Sequence, residues 1–165
     1  MRSRDVASLK STERADYLLV DLESRAKEIL KQGDSGRKNV FISFAYEDVN
    51  EVNLLRGQAK NENSDIEFND RSVREGFDST RGEYIRQKLR ERINQCSTTV
   101  VFLSNDTASS KWVAWEVEKS LELCKRVIGV HSGESQPSSV PDFIQKNQIK
   151  VVPWSRLAEE LKRDK

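Results

Sequence analysis

Trp112 and Glu116 stand four residues apart within Ser109-Ser110-Lys111-Trp112-Val113-Ala114-Trp115-Glu116. On a helix this spacing brings both side chains to one side, a turn apart. The segment follows an apolar run, Thr98 to Leu103, that reads as a buried strand. A carboxylate beside an aromatic ring, above the end of such a strand, suits sugar chemistry. A solvated helix glutamate would carry the same spacing, and the residues alone leave both readings open.

The elements that must hold this pair follow from the apolar period. Asn39-Val40-Phe41-Ile42-Ser43-Phe44 is a near-continuous apolar run suited to a central strand covered on both faces. Val52, Leu55 and Ala59 then fall on one helical stripe, and Ile66-Glu67-Phe68 alternates as an edge or half-covered strand does. A polar loop from Asn69 to Arg81 carries Arg71, Arg74 and Arg81, with Gly76 and Gly82 giving it freedom to bend. Ile85, Leu89, Ile93 and Cys96 mark a helix. Thr98 to Leu103 is the β-branched buried strand, and Val113, Val117, Leu121 and Cys124 form the stripe of the next helix. Val127 to Val130 and Ile149 to Val152 read as strands separated by a flexible loop, Ser132 to Val140. Trp154, Leu157, Ala158 and Leu161 close the chain as an amphipathic helix.

Strands alternating with helices predict a parallel sheet covered on both faces by right-handed crossovers, an α/β domain of three layers. With five strands the common doubly wound order is 2-1-3-4-5, and ligands bind at the C-terminal ends where that order reverses, between the first and third strands. Those ends are Phe44-Ala45-Tyr46 and Ser104-Asn105-Asp106. The helix bearing Glu116 begins just beyond the second of them. Its phase puts Glu116 about 95° from the centre of the Val113/Val117/Leu121/Cys124 stripe, on the flank of the helix, with Trp112 farther round.

Composition narrows the class. Over 165 residues, 28 basic side chains nearly cancel 27 acidic ones, so no global basic field argues for nucleic acid as a partner. No apolar stretch approaches the ~20 residues of a membrane span, and the N-terminus lacks a signal-peptide apolar core. Cys96 and Cys124 fall late in predicted helices on apolar stripes and read as buried, reduced thiols. The expectation is a cytoplasmic protein. Residues 1–37 form an N-terminal extension whose Leu18, Leu22, Ile29 and Leu30 predict an amphipathic helix over Thr12 to Gln32, ended by Gly33-Asp34-Ser35-Gly36. That helix is either a brace or an assembly surface. Residues 38–165 form the main domain. The single histidine, His131, ends a predicted strand and fits a structural role better than a catalytic one; no zinc-ligand spacing surrounds it.

Val40-Phe41-Ile42-Ser43-Phe44-Ala45-Tyr46-Glu47-Asp48 resembles the first-strand motif of Toll/interleukin-1 receptor (TIR) domains. Ser110-Lys111-Trp112-Val113-Ala114-Trp115-Glu116 resembles the third-helix motif of enzymatic TIR domains, in which a glutamate lies four residues after a tryptophan. The Asp65 to Arg81 stretch, Ile128-Gly129-Val130-His131 and the Ile149 to Trp154 ending are similar to the bacterial TIR-like subfamily that includes the sensor of the Thoeris anti-phage system. The resemblance covers roughly Lys38 to Trp154. It implies a flavodoxin-like fold and an NAD⁺-consuming activity: cleavage of the nicotinamide–ribose bond, often with cyclisation or transfer of the ADP-ribosyl unit. NAD⁺ is then substrate, and no cofactor or metal is implied. In Thoeris-like systems the product nucleotide switches on a separate effector protein after phage infection, which would bring a phage-derived trigger and self-association through TIR-like surfaces.

On this resemblance Glu116 is the catalytic candidate. Cleavage builds oxocarbenium-like charge on the ribose, which one carboxylate can stabilise, and nicotinamide leaves neutral without protonation. Trp112 and Tyr46 would offer ring faces to the cationic nicotinamide or the ribose. Ser43, Phe44, Ala45, Ser104 and Asn105 would line the strand ends as substrate-binding residues, and Arg74 would meet the pyrophosphate. Departures exist. Lys38-Asn39 stands where Toll-type domains carry an aspartate–alanine pair, and no proline occupies the Asn69 to Arg81 loop. Asp48 reads as a cap of the first helix rather than a ligand. The third strand ends Leu103-Ser104, without a phosphoacceptor aspartate, and no P-loop or GxGxxG is present. The rival expectation is a non-catalytic TIR-like interaction module.

Overall fold

The computed structural model describes residues 38–61, 66–69 and 77–163. The helix expected over 12–32, together with Arg71 and Arg74, lies outside the described residues. Within them the order is β1 (Lys38–Ser43), α1 (Val49–Asn61), β2 (Ile66–Asn69), α2 (Gly82–Gln95), β3 (Thr98–Phe102), α3 (Lys111–Glu122), β4 (Arg126–His131), α4 (Asp142–Lys146), β5 (Lys150–Pro153) and α5 (Leu157–Lys162). All strand pairs are parallel, in the order β2-β1-β3-β4-β5, as the alternation predicts.

The alternation of side chains along each strand divides the core between the two sheet faces. On one face Val40, Ile42, Val100, Phe102, Ile128 and Val130 pack with Val52 and Leu55 of α1 and Leu157 and Leu161 of α5. On the other, Val101 and Leu103 meet Val113 and Val117 of α3 and Ile144 of α4. Phe41 meets Leu89 and Ile93 of α2 there, with Cys96 just past that helix. The central strands are buried on both sides, which is why β1 and β3 read as unbroken apolar runs. Gly129 lets β4 fit between its neighbours: a Cβ there would stand 3.0 Å from Val151 Cγ2 and 3.1 Å from Leu103 Cδ1.

One expectation gives way. Cys124 is exposed, not buried on the α3 stripe. The helix ends at Glu122, and Cys124 turns left-handed with φ 54°. Lys125 N then donates to Ser120 O at 2.9 Å and Cys124 N to Leu121 O at 2.9 Å, the paired bonds of a Schellman C-cap. Residues 141–148, to which the apolar pattern assigned no element, contain α4. That helix closes the same way at Gln148, φ 52°, with Ile149 N donating to Ile144 O at 3.0 Å.

Candidate active site

The sheet order reverses between β1 and β3, so the helices that follow these two strands cover opposite faces and leave a crevice at their C-terminal ends. The segment leading from β3 to α3 is tightly tied. Thr107 Oγ1 donates to Phe102 O at 3.1 Å and accepts from Ser104 N at 2.8 Å. Ser110 is the N-cap of α3, its side chain accepting from Val113 N at 3.4 Å. Farther along, Ser120 Oγ donates to Glu116 O at 2.7 Å, which leaves the Thr99 hydroxyl to donate to Ser120 Oγ across 2.8 Å. This buried chain of hydroxyls fixes the rotation of α3 on β3.

That rotation carries Glu116 to the end of β1, where Ser43 Oγ donates to Glu116 Oε2. Glu116 is 5% exposed and Ser43 1%. The helical phase predicted a flank position between core and solvent. Burial goes further because α3 lies over β1 as well as β3, so its flank meets the strand end instead of water. Ser43 pairs with Val101 in the β1–β3 ladder, and the hydroxyl–carboxylate pair therefore lies where the strand order reverses.

A second carboxylate flanks the same crevice from the opposite face. Ser104 Oγ donates to Asp48 Oδ2 at 2.7 Å and accepts from Asp106 N at 3.1 Å. Among the described residues Asp48 finds its side-chain partner on the β3 end and not on the first-turn amides of α1, so the capping expectation is corrected. Burial pushes the Asp48 carboxyl above the ordinary carboxylate value, opposed by the bond from Ser104 and reinforced by neighbouring Asp106, Glu51 and Glu47. Its sequence signal was a carboxylate five residues beyond the first strand, facing a serine two beyond the third.

The remaining candidates separate. Ser104 and Asn105 line a cavity of about 340 Å³ at the ends of β3 and β4, together with His131, which is 4% exposed. Tyr46 is 48% exposed at the mouth of the first loop. Phe44 packs against the α1–α5 side of the core and Ala45 is fully buried, which leaves their backbone rather than their side chains for a ligand. Trp112 is half-buried in an aromatic group, edge-on to Phe77 at 4.8 Å and to Trp115 at 6.4 Å. Lys111 Nζ holds Asp78 Oδ2 at 2.8 Å. The first turn of α3 thus anchors the C-terminal end of the arginine-bearing loop beside the helix that carries Glu116.

A family model described as the TIR-like domain of the Thoeris protein ThsB matches residues 41–137. A Bacillus cereus (strain MSX-D12) protein named "Putative cyclic ADP-D-ribose synthase ThsB1" is 32% identical over 98 residues, 57% of this chain. The chain spans about half of that relative, 51% of its length. Among solved structures, the TIR domain of the Toll-related receptor TRR-2 from Hydra magnipapillata superposes with a TM-score of 0.54 at 21% identity, over 76% of this chain and 95% of that one. This last likeness is one of fold. Motif order, strand order and the family match agree: the chain belongs to the family of ThsB TIR-like domains.

Proposed function

We propose that this domain cleaves the nicotinamide–ribose bond of NAD⁺ and turns the ADP-ribose part into a cyclic signal nucleotide in bacterial anti-phage defence. The observation that carries the reading is the buried Ser43–Glu116 pair at the reversal crevice. A carboxylate taken out of water costs several kcal/mol unless it is paired, a cost that packing alone has no need to incur. An interaction module would be served as well by an apolar residue there. The name of the Bacillus cereus relative supports the same chemistry.

In the reaction the C1′–N bond breaks and its electron pair stays on the nicotinamide nitrogen, which leaves as a neutral base. Glu116 faces the resulting positive charge on the ribose, and the Ser43 hydroxyl holds the carboxylate in one orientation without neutralising it. A hydroxyl from the adenosine end, or a water, then bonds to C1′ and gives up its proton. The nucleotide made would activate a separate effector protein after a phage-derived trigger. Incubating purified protein with NAD⁺ and analysing the products by mass spectrometry tests the reading. Free nicotinamide together with a product lighter than ADP-ribose by one water is expected. Linear ADP-ribose alone would reduce the activity to hydrolysis, and unchanged NAD⁺ under every condition would leave the interaction module.

A further inference from the structure

The cavity at the ends of β3 and β4 is distinct from the Ser43–Glu116 pair, and Glu116 does not line it. Its walls include Ser104 and Asn105 from the β3 end, His131 and Ser132 from the β4 end, and Glu51 from α1. The Nδ1 atom of His131 is closed to water and, among the described residues, has no hydrogen-bond partner. An unpaired buried polar atom costs about 1–3 kcal/mol, a cost removed if the ring turns to meet a ligand in the cavity. At about 340 Å³ the cavity lies at the small end of ligand sites, which run from ~300 to ~1,000 Å³. It has room for one half of a dinucleotide.

The chemistry of the walls selects which half-molecule fits. Hydroxyls, amides and an imidazole offer neutral donors and acceptors. No lysine or arginine is among the described residues lining it, while Glu51 is, and Asp48 stands behind Ser104. A phosphate would meet like charge with nothing to pair it.

We propose that this cavity is a nucleoside subsite, taking the neutral base-and-ribose portion of a nucleotide and leaving its phosphates outside. The ring nitrogens and hydroxyls of such a ligand pair with the imidazole and with Asn105. The choice of ligand rests on reading the substrate as a dinucleotide. His131 is the sole histidine, so in untagged protein its two ring-proton NMR signals are assigned by inspection. Titration of the full chain with adenosine is expected to move both signals saturably, while inorganic pyrophosphate at equal concentration leaves them in place. Asn105→Ala, a surface change that spares the fold, should weaken adenosine binding about tenfold, the loss of one hydrogen bond. Signals unmoved by adenosine, moved equally by pyrophosphate, or an Asn105→Ala protein binding as tightly as the parent would each overturn the subsite. NAD⁺ turnover, measured on the same preparation, separates the two claims. Turnover without adenosine binding removes only the subsite, and adenosine binding without turnover removes only the enzyme.

Discussion

Two carboxylates meet the reversal crevice, and their surroundings set them different tasks. Glu116 is held by Ser43 at the end of β1. Asp48 is held by Ser104 at the end of β3, and its burial favours the protonated form. Because the folded state binds that proton more tightly than the unfolded chain, Asp48 contributes full stability below the ordinary value of 3.8. The contribution is lost as pH rises through the raised value. Asp48→Asn keeps an acceptor for Ser104 and has no proton to lose. Its melting temperature should exceed that of the parent above this window, with the gap closing in acid. A parent protein that gains on the variant as pH rises would refute the assignment.

The elements were legible because their apolar periods are clean. Val52, Leu55 and Ala59, then Leu89 and Ile93, then Val113 and Val117, all point into the core as their spacing requires. Both faces of β1 and β3 are covered, which is what their unbroken apolar runs signalled. What escaped was chemistry that depends on long-range contact. The Asp48–Ser104 bond joins residues 56 apart and the Ser43–Glu116 bond residues 73 apart, and no local pattern encodes either. The His131 nitrogen left unpaired among the described residues is likewise visible only once the ends of β3 and β4 stand side by side. Helix ends escaped for another reason: both Schellman caps lack the glycine that normally announces them, using Cys124 and Gln148. A left-handed non-glycine residue costs about 1–2 kcal/mol, of which glycine's own entropy offsets part. Cys124→Gly is therefore expected to stabilise the domain by about 0.5–1 kcal/mol in denaturant unfolding. Destabilisation would mean that the exposed thiol makes a contact the cap geometry does not explain.

At the scale of the whole domain, the site lies at one end of the sheet, near segments that face outward. Tyr46 is exposed beside the first loop, and Leu54 and Tyr84 are exposed large apolar side chains on α1 and α2. Among the described residues no helix is long and apolar enough to cross a membrane. A domain that completes its site with a loop from a second copy should show specific NAD⁺-consuming activity that rises with protein concentration, reaching a plateau as the copies associate. Activity per molecule that stays constant across a wide dilution series would mean that each chain carries a whole site. The activity of residues 38–165 alone would show whether the chemistry requires residues 1–37.

Turnover of NAD⁺ by purified Glu116→Gln protein, followed by nicotinamide release alongside the parent, bears most directly on the central claim. Glutamine keeps an oxygen for Ser43 to donate to, so the fold and its melting temperature should hold within about 1 kcal/mol while nicotinamide release drops by about a thousandfold, the scale of losing one electrostatic stabiliser of a transition state. A folded Glu116→Gln protein that releases nicotinamide at the parent rate would show that the buried carboxylate at the end of β1 serves the architecture and not the reaction.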